Sequence, residues 1–220
     1  MNMGTRFFLF LAAAVVAVAQ ISGPLVAPAR IPDYQAITAG ERMHWIFSKS
    51  MGPSALAAGA VTAALATRSD SPEEYGTHWS GYGKRNALQL SARATSSVME
   101  AGLGSIWGED PRYFRTSGKP TMSRVNNVLR MAFMAHDRDG HEMPAYARYI
   151  AVPGSTLLTN MWRPDSQTQG RDTINRISFS FATRILGNAV SEFGPDLRKR
   201  FSKKKDVAAV DSTPTKVIVP

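Results

Sequence analysis

The chain contains no cysteine. This absence excludes disulfide bonds, a thiolate nucleophile and a thiolate-bound metal centre, so packing alone must hold the folded protein together. The sequence also contains neither a Gly-x-Ser-x-Gly nucleophile elbow nor a phosphate-binding loop with Gly-Lys-Ser/Thr. No alternation of polar and apolar residues persists as it would in strands. What is present is a series of segments with helical periodicity.

The first 19 residues are typical of a secretory signal peptide. Arg6 supplies a positive start, Phe7–Val18 is an unbroken apolar run, and Ala17-Val18-Ala19 is a small-x-small cleavage site. The alternative is a membrane anchor, but the run from Phe7 to Ala19 has 13 residues, whereas a spanning helix needs about 20. We therefore expect cleavage near Ala19, a mature chain of 201 residues (220 − 19), and a location in the periplasm or on the outer-envelope surface.

The positive charge of the chain is concentrated near its end. The formal charge is +9, or +8 without Arg6, and six basic residues account for all but +2 of that (8 − 6). These residues are Arg198, Lys199, Arg200, Lys203, Lys204 and Lys205. This pattern favours a solvated, disordered basic tail over 198–220. The alternative is contact with anionic lipid or another envelope component, since clustered Lys and Arg near a membrane contribute about 1 kcal/mol each; nucleic acid is not an expected partner.

Two helices are expected after a Pro-rich linker over 20–38, which contains Pro24, Pro28 and Pro32. Thr38 and Glu41 form a capping-box pattern, which predicts a helix over 39–51 with Trp45, Ile46 and Met43 towards the core. A second helix starts at Pro53. Residues 50–67 carry no charge, and Ala55, Gly59 and Ala63 form a row of small residues that allows close helix packing. The alternative for this segment is membrane insertion.

Four further helical regions follow. The periodicity predicts helices over 84–106, from Thr121 or Ser123 through His136, over 145–162 with a break or kink at Pro153-Gly154, and over 171–193 with a stop at Gly194-Pro195. The expected core stripe of the first contains Leu88, Ala92, Thr95, Met99, Leu103 and Ile106, with Gly108 as its cap. The clearest amphipathic stripe contains Val125, Val128, Leu129, Ala132, Phe133 and His136.

The last predicted helix has apolar residues on two sides. One row contains Ile174, Ile177, Phe181, Ile185 and Ala189, and the other contains Phe179, Leu186, Val190 and Phe193. This pattern predicts a central, well-buried helix. The fold class predicted for residues 39–197 is therefore all-α, a bundle of five or six helices. Residues after about Asp206 show no helical period.

Most of the polar chemistry lies in two loops at either end of the helix over 84–106. The candidate ligand-binding residues are His78, Tyr82, Arg85, Asp110, Arg112, Tyr113 and Arg115. A helix of ~22 residues spans about 33 Å, which favours two separate sites over one. Arg112 and Arg115 could clamp a phosphate or carboxylate. The alternative is a salt bridge from Asp110 that closes the end of the bundle, with Tyr113 packed beneath it.

Other catalytic patterns are weak. The segment 136–142 contains two His and several carboxylates, but its Gly140 does not match a calcium loop and its His spacing does not match zinc. A serine hydrolase using His78 or His136 has no supporting motif. We therefore expect no metal or cofactor, and no catalytic residue can be assigned.

Five segments spread over residues 40–200 resemble a family of uncharacterised exported helical proteins of Acidobacteria and related bacteria. They are Met51-Gly52-Pro53, Glu74-Tyr75-Gly76 with Gly81-Tyr82-Gly83-Lys84-Arg85, Glu109-Asp110-Pro111-Arg112-Tyr113-Phe114-Arg115, Asn160-Met161-Trp162-Arg163-Pro164-Asp165 and Glu192-Phe193-Gly194-Pro195-Asp196. Tyr75 and Gly194 stand where the family usually has Trp. The resemblance implies one helical domain in the cell envelope and no catalytic assignment. The expected function is structural or membrane-surface-associated; the alternative is a hydrolase or anionic-ligand-binding protein that uses the loop from Glu109 to Arg115.

Overall fold

The computed structural model describes residue 31 and residues 33–211, with side chains up to residue 199. The predicted signal peptide and most of the predicted linker lie outside the described residues. Six helices occur in the described part: α1 (Ala39–Met51), α2 (Pro53–Arg68), α3 (Trp79–Trp107), α4 (Thr121–Phe133), α5 (Tyr146–Thr159) and α6 (Gly170–Asp211). Two short strands, β1 (Met134–His136) and β2 (Glu142–Pro144), and three 3-10 turns at Glu73–Tyr75, Asn160–Trp162 and Asp165–Gln167 complete it. The all-α prediction is confirmed.

The chain forms two compact units. Unit 1 contains the described residues up to Arg112 together with Phe133–Thr183, and unit 2 contains Tyr113–Ala132 together with the residues from Arg184 onwards. The predicted boundaries of the helical domain and of the basic tail stay predictions. Among the described residues, no helix is both long enough and apolar enough to cross a membrane.

Helix α3 is the central element of unit 1, and α1, α2 and α5 pack against it. The predicted capping box starts α1, because the Thr38 side chain accepts from the Glu41 backbone and Glu41 accepts from the Thr38 backbone. The row of small residues on α2 also faces inward as predicted, since Gly59 and Ala63 are buried. A Cβ at Gly59 would lie 3.1 Å from Asn86 Oδ1 on α3. Small residues therefore set the close approach of α2 to α3.

Helix α3 starts at Trp79, five residues before the predicted start at Lys84. The glycines that suggested a loop lie inside it. Gly81 passes directly beneath the preceding turn, where a Cβ would lie 2.3 Å from the Tyr75 carbonyl oxygen and 2.4 Å from that of Gly76. The glycine at this position permits a backbone contact and does not break the helix.

The predicted core stripe of α3 is not its buried face. Ile106 is exposed, and the other members of the stripe, Leu88 included, are half-buried. The buried positions are Gly81, Arg85, Ser97, Glu100, Ala101 and Gly104. The residues on this face are small or charged, because the neighbouring elements approach α3 closely and supply hydrogen-bond partners. Large apolar burial in unit 1 is confined to a few side chains such as Trp45 and the stacked rings of Phe133 and Phe181, 5.6 Å apart.

A short hairpin replaces the end of one predicted helix and the start of the next. Strands β1 and β2 pair antiparallel, with His136 opposite Glu142, and the Asp110 backbone bridges to His136. The predicted stripe therefore stops being helical at Phe133, and α5 starts at Tyr146 after Pro144 has ended β2. Three residues per strand are too few to produce a visible alternation, which is why the sequence indicates helix here.

Unit 2 pairs α4 with the part of α6 that follows Thr183. Arg124 contacts Glu192, and Asn188 donates to the Val128 carbonyl oxygen over 3.2 Å, so the two helices run antiparallel. Val128, Met131 and Ala132 are buried. The second apolar row of the last predicted helix is largely exposed: Phe179, Leu186 and Val190 are 63%, 65% and 68% exposed. The prediction that α6 is buried on both sides is therefore wrong.

Two prolines lie inside helices, and the predicted stop at Pro195 is wrong. Helix α5 continues through Pro153, and α6 continues through Pro195 to Asp211. In α6 the residues on both sides of Pro195 are held by the same two side chains. Arg115 and Arg124 both donate to the Glu192 carbonyl oxygen, and both pair with the Asp196 carboxylate. These bonds stabilise the helix where the proline removes a backbone donor.

Candidate functional site

The predicted site residues fall into three groups. His78, Tyr82 and Arg85 lie at the start of α3, whereas Asp110 and Arg112 follow its other end, all in unit 1. Tyr113 and Arg115 belong to unit 2. His78 precedes α3 without capping it through its side chain, and Tyr82 packs edge-on against the exposed Trp79, with ring centroids 5.7 Å apart.

Arg85 is buried and fully hydrogen-bonded. Its guanidinium donates to five acceptors in the turn before α3, of which the Pro72 and Gly76 carbonyl oxygens are nearest, at 2.6 Å and 2.5 Å. The others are the Ser71 carbonyl oxygen, Thr67 Oγ1 and Asp70 Oδ1. A guanidinium has five N–H donors, so none is left for a ligand. Arg85 organises the turn.

Asp110 and Arg112 form a closed ion pair. The Asp110 side chain is fully buried and accepts from Arg112 Nη2 at 2.7 Å and from the Tyr34 hydroxyl at 2.9 Å. Burial, followed by the charge and hydrogen bond of Asp110, raises the pKa of Tyr34. Arg112 also donates to Glu41 and to the Gln35 carbonyl oxygen. This geometry favours the interpretation of Asp110–Arg112 as a structural clasp for the segment before α1.

A second buried charge cluster joins α3 to α5. Arg148 donates from Nε to Glu100 Oε1 at 3.0 Å, and all three of Arg148, Glu100 and Glu109 are buried. The Glu109 carboxylate accepts from the Ala147 backbone at the start of α5, over 2.9 and 3.1 Å. Burial raises the pKa of Glu109, and the Ala147 hydrogen bond and the Arg148 charge only partly oppose that shift. Glu109 therefore serves as the acceptor for the first turn of α5.

In unit 2, Tyr113 and Arg115 converge on Glu192, which the sequence analysis did not select. The Glu192 carboxylate is fully buried and accepts from Arg124 Nε at 2.7 Å, from the Tyr113 hydroxyl at 2.9 Å and from the Thr116 backbone at 3.1 Å. Burial alone would raise the pKa of Glu192, but the hydrogen bonds from Arg124, Thr116 and Tyr113 outweigh it and hold the pKa below its usual value. The i, i+4 spacing of Glu192 and Asp196 on one helix face was the available signal.

The turn between the strands brings three ligand-type residues together. Among the described residues, ligand atoms of Asp137, Asp139 and His141 lie within 4.8 Å of one another. Asp137 Oδ1 accepts from the backbones of Asp139 and His141, both at 2.9 Å, which is the ordinary geometry of an Asp-initiated turn. Of the basic cluster, Arg198 and Lys199 are exposed, and the side chains of Arg200, Lys203, Lys204 and Lys205 lie outside the described ones.

The sequence also provides no indication of a pair of arginines at the corner between α5 and α6. Arg163 follows the 3-10 turn after α5, and Arg176 lies in the second turn of α6. Arg163 Nε and Arg176 Nε and Nη1 are buried without a hydrogen-bond partner. Arg163 appeared in the sequence only within a segment of the family resemblance, and no spacing rule connects it to Arg176 across the intervening turns.

The charged clusters at the ends of α3 and around Glu192 are thus closed by their own partners, whereas the arginine corner is not. Chemically, the closed clusters can fix loops and helix ends, whereas the arginine corner retains buried N–H groups without an acceptor among the described residues. Comparisons with family models, curated proteins and solved structures each find no match to this chain.

Proposed function

We propose that the protein is an exported, non-enzymatic helical protein of the cell envelope that associates with an anionic membrane surface. The observation that carries the proposal is an inversion of the usual side-chain distribution in unit 1. Its helices bury charged and small residues, as described for α3, and leave large apolar residues exposed.

Helix α1 illustrates the inversion. Met43, Phe47 and Met51 are 66%, 63% and 43% exposed and follow one another at a spacing of four residues, so they form one apolar stripe. Arg42, on the other side, donates to the Ala101 and Glu109 carbonyl oxygens inside unit 1. Helix α2 adds exposed Val61 and Leu65.

Single exposed apolar residues need no explanation, but contiguous stripes indicate contact with a membrane or a protein. A membrane surface is favoured because the chain also carries the cluster of six basic residues over 198–205. Apolar insertion and basic residues act together in interfacial binding, and neither signal alone gives stable attachment. The closed Asp110–Arg112 pair supports a structural use of the loop from Glu109 to Arg115 over a catalytic one.

Flotation of the full chain with lipid vesicles tests the proposal. Vesicles containing phosphatidylglycerol should bind the protein and neutral phosphatidylcholine vesicles should bind it less, with binding weakened by salt. Replacing the six basic residues with Gln should reduce binding to anionic vesicles about 100-fold or more, since each contributes about 1 kcal/mol.

The triple change Met43→Ser, Phe47→Ser and Met51→Ser should weaken binding about 30-fold, because even partial burial of three such side chains is worth at least about 2 kcal/mol. The control adds hydroxyl groups at the exposed Ala36 and Ala87, which lie outside both apolar stripes, and should bind as the natural chain does. Equal flotation of the natural chain and all variants with anionic and neutral vesicles, unaffected by salt, would remove the membrane part of the proposal. Equal recovery without lipid checks that the variants stay in solution. Mass measurement of the exported protein tests cleavage near Ala19 separately.

A further inference from the structure

The hydrogen bonds that the described residues make with the arginine corner of unit 1 all come from neutral groups. Arg176 Nη2 donates to Asn160 Oδ1 and, over 3.3 Å, to Thr173 Oγ1. Asn160 in turn donates to the buried Thr173 hydroxyl over 3.1 Å. Arg163 Nη1 donates to Gln167 Oε1 over 2.9 Å. These bonds fix the two guanidinium groups in place but provide no negative charge.

Three guanidinium N–H groups in this corner have no acceptor: Arg163 Nε, Arg176 Nε and Arg176 Nη1. Among the described residues no carboxylate lies within 4.0 Å of either guanidinium. Burial and the neighbouring positive charge of Arg176 lower the pKa of Arg163 to about 10. Burial also lowers the pKa of Arg176, and the charge of Asp172, four residues earlier, only partly opposes that shift. Two like charges with unpaired buried donors form a destabilising arrangement that a bound anion would relieve.

The corner opens onto a groove. Arg176 lines an open groove of about 1020 Å³ together with Ser166 and Gln167. The same groove is lined by four carboxylates, which are Asp70, Glu73, Glu74 and Asp172. Asp70 is paired with Arg85, and Glu74 is hydrogen-bonded to Ser166, which lowers its pKa. Glu73 is exposed. The groove wall thus combines one arginine, whose unpaired N–H groups are buried beneath the surface, with several acidic groups.

This combination fits a ligand that carries both signs of charge. Guanidinium groups bind phosphate through parallel N–H bonds, and a primary ammonium group donates to carboxylates. Gln167 stands between the groove and Arg163, since it lines the former and binds the latter. We propose that the corner of Arg163 and Arg176 binds the phosphate of an aminoalkyl phosphate of the ethanolamine type, with its ammonium group against the acidic wall.

Two sources supply that chemistry: a free phosphoethanolamine and the headgroup of phosphatidylethanolamine. Soluble phosphoethanolamine should raise the melting temperature of the full chain and bind in calorimetry, whereas inorganic phosphate should bind at least 10-fold more weakly because it lacks the ammonium group. If the lipid is the natural source, vesicles of phosphatidylcholine with phosphatidylethanolamine should bind more protein than phosphatidylcholine alone.

Arg176→Gln and Arg163→Gln should each weaken binding of phosphoethanolamine at least 10-fold. Both variants should melt at or above the temperature of the natural chain without ligand, because each removes one of two repelling charges. Arg171→Gln is the matched control, since Arg171 is an exposed arginine in the first turn of the same helix, and it should leave binding unchanged.

The proposal is overturned if neither phosphoethanolamine nor phosphatidylethanolamine vesicles bind, or if the Arg163 and Arg176 variants bind as Arg171→Gln does. Inorganic phosphate binding as tightly as phosphoethanolamine would overturn the role of the acidic wall. If Arg176→Gln fails to fold, Arg163→Gln decides, because Arg163 makes a single side-chain hydrogen bond.

Discussion

Replacing Glu192 with Gln should destabilise unit 2 more than any other single isosteric change near it. The carboxylate accepts from Arg124 Nε and Thr116 Oγ1 on Oε1, and from the Tyr113 hydroxyl and the Thr116 backbone on Oε2. A Gln amide has one acceptor oxygen and one donor nitrogen. Whichever way it is oriented, its NH₂ faces the fixed N–H of either Arg124 or Thr116, which then lacks an acceptor.

The size of the effect follows from these contacts. A buried donor left without an acceptor costs about 1–3 kcal/mol, and losing a hydrogen bond between charged groups costs about 1.5–3 kcal/mol more. Breaking one partner of a buried ion pair costs about 3–5 kcal/mol in total, which is the expected loss for Glu192→Gln. Urea denaturation measures it, and hydrogen exchange should show the loss in residues 113–132 and 184–199.

Ser191→Ala is the matched control, because Ser191 is the exposed neighbour on the same helix and, among the described residues, its hydroxyl bonds only the Gly187 carbonyl oxygen. It should change stability by less than about 0.5 kcal/mol. A loss below about 1 kcal/mol for Glu192→Gln would refute the reasoning, since it would mean that the carboxylate is not needed by its donors.

The same change has a pH signature. The pKa of Glu192 is lower in the folded protein than its ordinary value of 4.5. Its contribution to stability is therefore complete above pH 4.5 and is lost as the pH falls through the folded-state pKa. The stability difference between the natural chain and Glu192→Gln should shrink as the pH falls below 4.5. A difference that stays constant down to the folded-state pKa would contradict the assignment of the lowered pKa to this group.

Three further outcomes are expected in unit 1. Glu109→Gln should cost little or stabilise the protein. The raised pKa of Glu109 means that the folded state binds a proton more tightly than the unfolded chain, so the stability contributed by Glu109 increases as the pH falls through its folded-state pKa. Urea denaturation at several pH values should show this slope in the natural chain and not in the variant. Gly81→Ala should destabilise the protein by about 1–3 kcal/mol, because the added Cβ meets two carbonyl oxygens. The control Gly83→Ala, whose Cβ has no described atom within 4 Å, should stabilise it by about 0.5–1 kcal/mol. Equal shifts in the melting temperatures of the two variants would exclude the close contact of Gly81 with the turn. Arg85→Lys should cost about 2–4 kcal/mol, since an ammonium group has three donors for five acceptors, and an unchanged melting temperature would show that the turn does not depend on those bonds.

The sequence was sufficient where local chemistry decides the structure. The Thr38–Glu41 capping box and the Gly108 cap, with φ of 79°, are both present as predicted. The inward row of Gly59 and Ala63 on α2 is also present. These features depend on backbone geometry and side-chain size, which neighbouring residues reveal.

The sequence was insufficient where a distant partner decides the structure. Gly81 resembles a helix breaker until the carbonyl oxygens of Tyr75 and Gly76 are known to lie above it. Pro195 resembles a stop signal until Arg115 and Arg124 are known to hold both sides of it. The stripe of Leu88 and Ile106 indicates a core because periodicity does not reveal which face of α3 meets other helices.

The candidate site was predicted in part for the same reason. Asp110 and Arg112 do meet, two residues apart along one loop. Glu192, which binds Tyr113, is 79 residues away along the chain. The two arginines of the corner are distinguished by N–H groups that have no acceptor, and no sequence pattern indicates an unpaired donor.

The closure of unit 2 has a consequence for biosynthesis. Its two segments are separated in the sequence by the last part of unit 1, residues 133–183. A ribosome that has just added Thr183 has therefore made Arg115 and Arg124 but not the carboxylate that receives them. Termination between Arg124 and Glu192 yields a polypeptide that carries both guanidinium groups without the residue that receives them, so this unit can close only after Glu192 has been synthesised.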